Sequence, residues 1–226
     1  MSRNETLTSR ERVLRTLRHE PVDRIPRHLW ALPGVRDKWP AELAAHYRDF
    51  PDDITGPPFR YGPSLREAGV PCQPGEYTDA FGCIWHVGEP GVIGEVRQGP
   101  VATPADAAAY RLPHELLDGA DFSQVDDFCR TTDRFVLAGT LVRPFERMQF
   151  LRGTEAFFMD LVDREPAVLD LMARLHEFSL RELRLWCDTA VDAICFMDDW
   201  GSQQSLLIPP DLWREFFRPQ YEAYCR

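Results

Sequence analysis

Near its C-terminal end the chain reads FMDDWGSQQ, residues 196–204, where an apolar run opens onto two adjacent aspartates, Asp198 and Asp199. Neighbouring carboxylates on a loop after an apolar strand raise one another's pKa, which makes a poised acid, or they bind a cation. The same acids also serve as caps for backbone N–H groups where a loop approaches a helix. Trp200 and Gln203 would add an aromatic, hydrogen-bonding wall, although Trp200 suits a core equally well. Arg143 and Arg147, which follow AGT (residues 138–140), offer contacts to an anion or ion pairs at the surface. Asp52 and Asp53 in PDDI, taken alone, are solvated loop acids. Cys83 and His86 in CIWH form the only close Cys/His pair, in a hairpin where a structural role is expected. The chain has no His-x-Cys, no Cys-x-x-Cys, no phosphate-binding glycine loop and no G-x-S-x-G elbow, so no metal ligands are assigned within it.

The elements that must position these groups alternate. Thr8 followed by Glu11 has capping-box spacing and starts a helix carrying Val13, Leu14 and Leu17 on one face. DRIPRHLW (23–30) suits a strand, a helix is expected over 40–47, and the Pro- and Gly-rich stretch 49–64 suits a loop. Residues 76–98 read as a hairpin turning at GEPG. Thr103 and Pro104 cap a short helix, another covers roughly 121–130, and DRFVLAGT is a buried strand ending in glycine. Residues 141–190 are helical, interrupted near Gly153 and Pro166, with Val168, Leu169, Met172, Leu175, Leu183 and Trp186 as the apolar stripe. The strand VDAICFM (191–197) follows, then a helix from Pro209 or Pro210. Strands alternating with helices, with buried runs such as FVLAG and AICFM, predict a parallel α/β sheet whose chemistry lies on loops at the carboxyl ends of its strands.

Composition narrows the function classes. The 226 residues are 44% hydrophobic with a formal charge of −10, which argues against a phosphate-backbone binder, so no nucleic-acid partner is expected. Lys38 is the only lysine among 26 basic residues, a bias of composition more than of function. No basic-then-apolar leader and no long apolar run occurs, so neither secretion nor a membrane partner is expected and the location is expected to be cytoplasmic. The six scattered cysteines read as reduced thiols packed as small hydrophobes.

Several stretches together resemble the uroporphyrinogen decarboxylase superfamily, including its corrinoid-dependent methyltransferase branch. They are SRERVLRTLRHEPVDRIP, FPDDI, YTDAFGCIWHVGEPGVIGEV, RPFERMQFLRGTEAFFMDLVDREP and DDWGSQQSLLIPPDLWREFFRPQY. The resemblance implies a single-domain α/β fold over residues 1–226, a (β/α)8 TIM barrel of which about the first five units are present, truncated at the C-terminus. It implies an enzyme acting on a tetrapyrrole or a corrinoid-linked methyl group, with a corrinoid protein as a partner and a homodimer as an option. By resemblance, Asp53 is the catalytic aspartate and Asp199 the second catalytic position, standing where decarboxylases place a substrate-contacting serine. Gln149 stands in place of a substrate-contacting tyrosine. His28, Trp30, Arg143, Arg147, Asp198, Trp200 and Gln203 are further substrate-binding candidates, His28 facing the barrel mouth if residues 23–30 form the first strand. The decarboxylases' arginine-rich loop, which clamps substrate carboxylates, is absent: its place holds only Arg27 and Arg36. The methyltransferase-like branch is therefore favoured over porphyrin biosynthesis, with an inactive fragment as a second alternative. Zinc, which that branch uses, would come from ligands in the missing C-terminal part. Open sheet edges in such a chain predict aggregation or dependence on a partner.

Overall fold

The computed structural model describes residues 5–226. Residues 1–4, the head of the stretch read above for a leader, lie outside them. The first helix, α1 (Ser9–Leu17), starts with the predicted capping box: the Thr8 hydroxyl accepts from the Glu11 N–H while the Glu11 carboxylate accepts from the Thr8 N–H. Two helices follow, α2 (Pro33–Lys38), which the sequence pattern does not predict, and α3 (Pro40–Asp49), which it does. Next come β1 (Ile54–Thr55), β2 (Gly75–Thr78), β3 (Ile84–Val87) and β4 (Glu95–Gln98). Helices α4 (Pro104–Ala109), α5 (Glu115–Asp118) and α6 (Val125–Thr131) lead to β5 (Phe135–Gly139). Three helices succeed one another as α7 (Pro144–Arg152), α8 (Thr154–Asp163) and α9 (Pro166–Cys187). Finally β6 (Ala193–Cys195) precedes α10 (Pro210–Leu212), a π-helical turn over Trp213–Phe217, and α11 (Arg218–Tyr224). Pro219 has no N–H to return to the carbonyl four residues back, and the helix widens just before it.

β1, β5 and β6 form one sheet in that order, all parallel, with Ile54 beside Phe135 and Leu137 beside Ala193. The fold is mixed α/β, as expected, but the count of units is corrected: three parallel strands form among the described residues, where about five units were expected. Residues 23–30, expected as a strand, are not one of them. The Arg27 N–H donates to Asp53 Oδ2 (2.8 Å) and the Leu29 N–H to Asp52 Oδ1 (3.0 Å), so side-chain carboxylates take the amides that a ladder would use. β1 lies inside the stretch read as a loop, because its pairing with β5 overrides the prolines and glycines around it.

The predicted hairpin is a three-stranded antiparallel sheet, β2-β3-β4. Its first turn is built by Asp79, whose Oδ1 accepts from the Phe81 and Cys83 amides (3.0 and 2.9 Å) and whose Oδ2 accepts from the Trp85 indole (3.0 Å). Gly82 turns the chain at φ +81°, a conformation disfavoured for residues with a Cβ. Gly153, at φ +83°, separates α7 from α8 as expected. The main core joins this sheet to α7, α8 and the inner face of α9, where Val168, Leu171, Met172, Leu175 and Phe178 recur at helical spacing. A second cluster of Val125, Cys129, Val136, Ala138 and Trp186 backs the parallel sheet.

Candidate functional site

The two ends of the parallel sheet differ in chemistry. At the amino ends α1 seals the strands with ion pairs. Asp53, immediately before β1, is fully buried and accepts from Arg12 Nη1 (2.5 Å), Arg24 Nη1 (2.5 Å), Arg24 Nη2 (3.0 Å) and Ser9 Oγ (2.8 Å). Arg12 and Arg24 are themselves buried and reach on to Asp23 and Glu5. Arg10 pairs with Asp192, just before β6, at 3.0 Å. This corrects the expectation of a substrate-facing Asp53: a carboxylate with no exposure and both oxygens held by cations has no surface to offer a ligand.

At the carboxyl ends the sheet opens onto a cleft of about 240 Å³. Thr55, Gly139 and Cys195, the last residues of β1, β5 and β6, line it together with Gly56, Thr140 and Met197 just beyond them, with His28, Trp30 and Arg143 around them. Such loops are the usual place for function in parallel sheets. His28 and Trp30 are both exposed, and the indole N–H donates to the His28 ring at 3.0 Å. Arg143 pairs with Glu146 at 3.1 Å while its side chain stays 44% exposed. Among the described residues, Arg143 is the one cation lining this cleft. Thr140, Cys195 and Met197 were not singled out in the sequence, although their place just past or at the ends of FVLAG and AIC was signal enough.

The DDWGSQQ segment contributes mainly structure. Asp198 accepts from the Phe145 and Glu146 amides (2.7 and 2.9 Å) and from the Tyr221 hydroxyl (2.9 Å), so it caps α7. Burial pushes its carboxyl up, against the pull of those donors; burial, not repulsion from Asp199, is the cause. Asp199 is exposed, and its side chain has no hydrogen-bond partner among the described residues. Trp200 is half-buried against the main core, stacked on Phe145 at 4.2 Å and edge-on to Phe217 at 4.8 Å. Gln203 sits exposed at the tip of a small loop closed by the Gly201–Leu206 bridge. None of these four lines the cleft.

Arg147 and Gln149 project from α7 toward the antiparallel sheet. Arg147 pairs with Asp79 at 2.7 Å and lies over the Phe81 ring at 4.1 Å. The Gln149 amide oxygen accepts from Thr154 at 3.3 Å. A residue that sequence reasoning missed is Glu182, fully buried on α9. Its Oε1 accepts from the Tyr61 hydroxyl and, at 2.6 Å, from the Leu141 N–H, while Oε2 has no partner. Burial raises its pKa. Glu182 and Asp198 therefore hold the two ends of the segment 141–146 that carries Arg143 to the cleft.

The residues present do not make a zinc centre: among the described residues no three His, Cys, Asp or Glu side chains converge. Cys83 is buried and its thiol is pushed up to about 12, chiefly by burial, while His86 is exposed, so that pair does not converge either. No helix among the described residues is long and apolar enough to cross a membrane.

The overall arrangement is that of a known fold. A solved structure of a methyltransferase from Methanosarcina mazei matches 96% of this chain at a TM-score of 0.63 and 17% identity, a likeness of fold. The chain spans 66% of that structure's length. No curated protein matches the sequence. The family model for uroporphyrinogen decarboxylase (URO-D) matches residues 77–226, well over half of the sequence, and on that basis the chain belongs to the uroporphyrinogen decarboxylase family.

Proposed function

We propose that the chain is part of a (β/α)8-barrel enzyme whose substrate enters the cleft at the carboxyl ends of β1, β5 and β6, and that this substrate is a corrinoid-linked methyl group more readily than a uroporphyrinogen. The observation that carries the reading is the cleft's charge. Arg143 is its one lining cation among the described residues, and Arg27 and Arg36, from the region where decarboxylases carry their arginine-rich loop, do not line it. Arg27 lies over the Phe50 ring at 5.3 Å, and Arg36 lines a neighbouring cleft of about 650 Å³ beneath α3. A substrate bearing many carboxylates needs several guanidinium partners to offset desolvation, whereas a corrinoid face needs apolar and aromatic contact such as Trp30 and Met197 supply. The methyltransferase likeness of fold supports the same choice. In this reading His28, Trp30 and Arg143 bind and orient the substrate from the rim. Zinc, where such a methyl transfer uses it, is held by ligands other than the described residues, and no step here is assigned to it. A corrinoid protein is the partner, and the enzyme works in the cytoplasm.

The test runs two substrates on the chain. Methylcobalamin is expected to quench tryptophan fluorescence saturably, less strongly bound by Trp30→Ala, and uroporphyrinogen is expected to yield no coproporphyrinogen. Formation of coproporphyrinogen without corrinoid binding overturns the proposal in favour of decarboxylation.

A further inference from the structure

A second cleft, of about 660 Å³, lies between β4 and α7 and shares Arg143 with the first. Its apolar wall is aromatic: Trp85 of β3 and Phe150 of α7 meet edge-on at 5.0 Å. Arg97 of β4 and Arg143 ahead of α7 bring guanidinium groups to it from two different elements. Each is paired only with a neighbour on its own segment, Arg97 with Glu95 at 3.7 Å and Arg143 with Glu146 at 3.1 Å. Both arginines are well exposed, at 60% and 44%, and exposed pairs of this kind are readily exchanged for a ligand's anion. Arg147 also lines the cleft. Its guanidinium is fixed by Asp79, yet its Nε–H is buried without an acceptor. That Nε has no exposed surface for a ligand to reach and Arg147 stays with Asp79, which leaves Arg97 and Arg143 as the exchangeable guanidinium groups. The amino end of α7 is not the anchor, because Asp198 already occupies its first amides.

Glu95 and Glu146 limit the charge that fits. They stand on the same two walls, so a polyanion would meet as many carboxylates as it gained guanidinium partners. We propose that this cleft binds a flat, apolar ligand bearing a single carboxylate, with its ring against Trp85 and Phe150 and its carboxylate between Arg97 and Arg143. The site adjoins the carboxyl-end cleft through Arg143 but does not depend on what that cleft binds, since Arg97 lines the second cleft and not the first.

The probe is 4-(trifluoromethyl)benzoate, titrated against the whole 226-residue chain and followed by fluorine NMR line broadening, with the neutral 4-(trifluoromethyl)benzyl alcohol alongside. Saturable binding is expected, weakened roughly fivefold or more by Arg97→Gln and by Arg143→Gln, as loss of a charge-assisted hydrogen bond predicts. The alcohol is expected to bind more weakly than the carboxylate. Arg214→Gln, at an exposed arginine on the π-helical turn, is expected to leave binding unchanged. Because Arg97 and Arg143 are exposed, their variants keep the fold and report on the ligand. No saturation, equal binding of the alcohol, or full affinity in Arg97→Gln overturns the proposal.

Discussion

Asp53→Asn keeps the shape of a buried side chain and removes the charge that two buried guanidinium groups share. Taking one partner from a buried ion pair costs about 3–5 kcal/mol. Arg12 keeps Asp23 at 2.7 Å and Arg24 keeps Glu5 at 2.8 Å, so neither cation is orphaned and the low end applies. A loss of about 3 kcal/mol, at a urea slope of about 3 kcal/mol/M for a chain of this size, lowers the midpoint by about 1 M. The assay is urea unfolding followed by tryptophan fluorescence at low protein concentration. The pH dependence supplies an independent check. Burial alone would raise the Asp53 carboxyl, but hydrogen bonds from Arg24, the Arg27 amide, Ser9 and Arg12 outweigh it and hold it at about 2. A folded-state pKa below the unfolded value stabilises above that unfolded value, about 3.9, and the contribution, about 3 kcal/mol, is lost as pH falls through about 2. The parent chain should lose that increment between pH 5 and 2, and the variant should lack that part of the acid limb. Asp23, also held low by Arg12, titrates in both proteins. A midpoint shift under about 0.2 M at unchanged slope, or an identical acid limb, would refute the ion-pair account.

Other outcomes follow from the same geometry. Glu182→Gln should match or exceed the parent stability at pH 8: burial raises the carboxyl, so its folded form is favoured below the unfolded pKa and loses ground as pH rises through the folded one. Glu182→Leu leaves the Tyr61 hydroxyl and Leu141 N–H without their acceptor and should cost about 2–4 kcal/mol, read by the same urea midpoint. Trp200→Ala, which opens the stack on Phe145, should cost about 3 kcal/mol and lower the thermal midpoint; a near-neutral result would show that the stack adds nothing to the core beneath it. His28→Ala should move stability by no more than about 0.5 kcal/mol, because the ring is exposed. The outer edge of β6 has no strand partner among the described residues, so light scattering should find self-association; a monomer at all concentrations would contradict this.

Local signals were the legible ones. The capping boxes at Thr8 and Thr103 form as read, because both partners lie within one turn. β5 and β6 announced themselves as apolar runs, and α9 by its stripe, although Leu169 stands only at the margin of the core. What stayed hidden depends on distant partners. Asp53 looked like a solvated acid because Arg12 and Arg24, 41 and 29 residues away, are invisible to local reading. β1 is two residues long and exists through β5 alone, while 23–30 has the composition of a strand but gives the Arg27 and Leu29 amides to Asp53 and Asp52. The adjacent aspartates at 198 and 199 divide their roles for a similar reason: the amides of α7, more than fifty residues earlier, claim Asp198. Of the cleft's residues, His28, Trp30 and Arg143 were named from the sequence, whereas Glu182, outside the cleft, sat unnoticed beneath the segment that carries Arg143.

Hydrogen–deuterium exchange with and without methylcobalamin tests the central claim most directly, since it locates the ligand as well as detecting it. Protection is predicted at residues 28–30, 54–56, 137–143 and 195–197, the segments that line the carboxyl-end cleft, with the α1 seal around Asp53 unchanged. Protection confined to other segments, or none at saturating methylcobalamin, would contradict it.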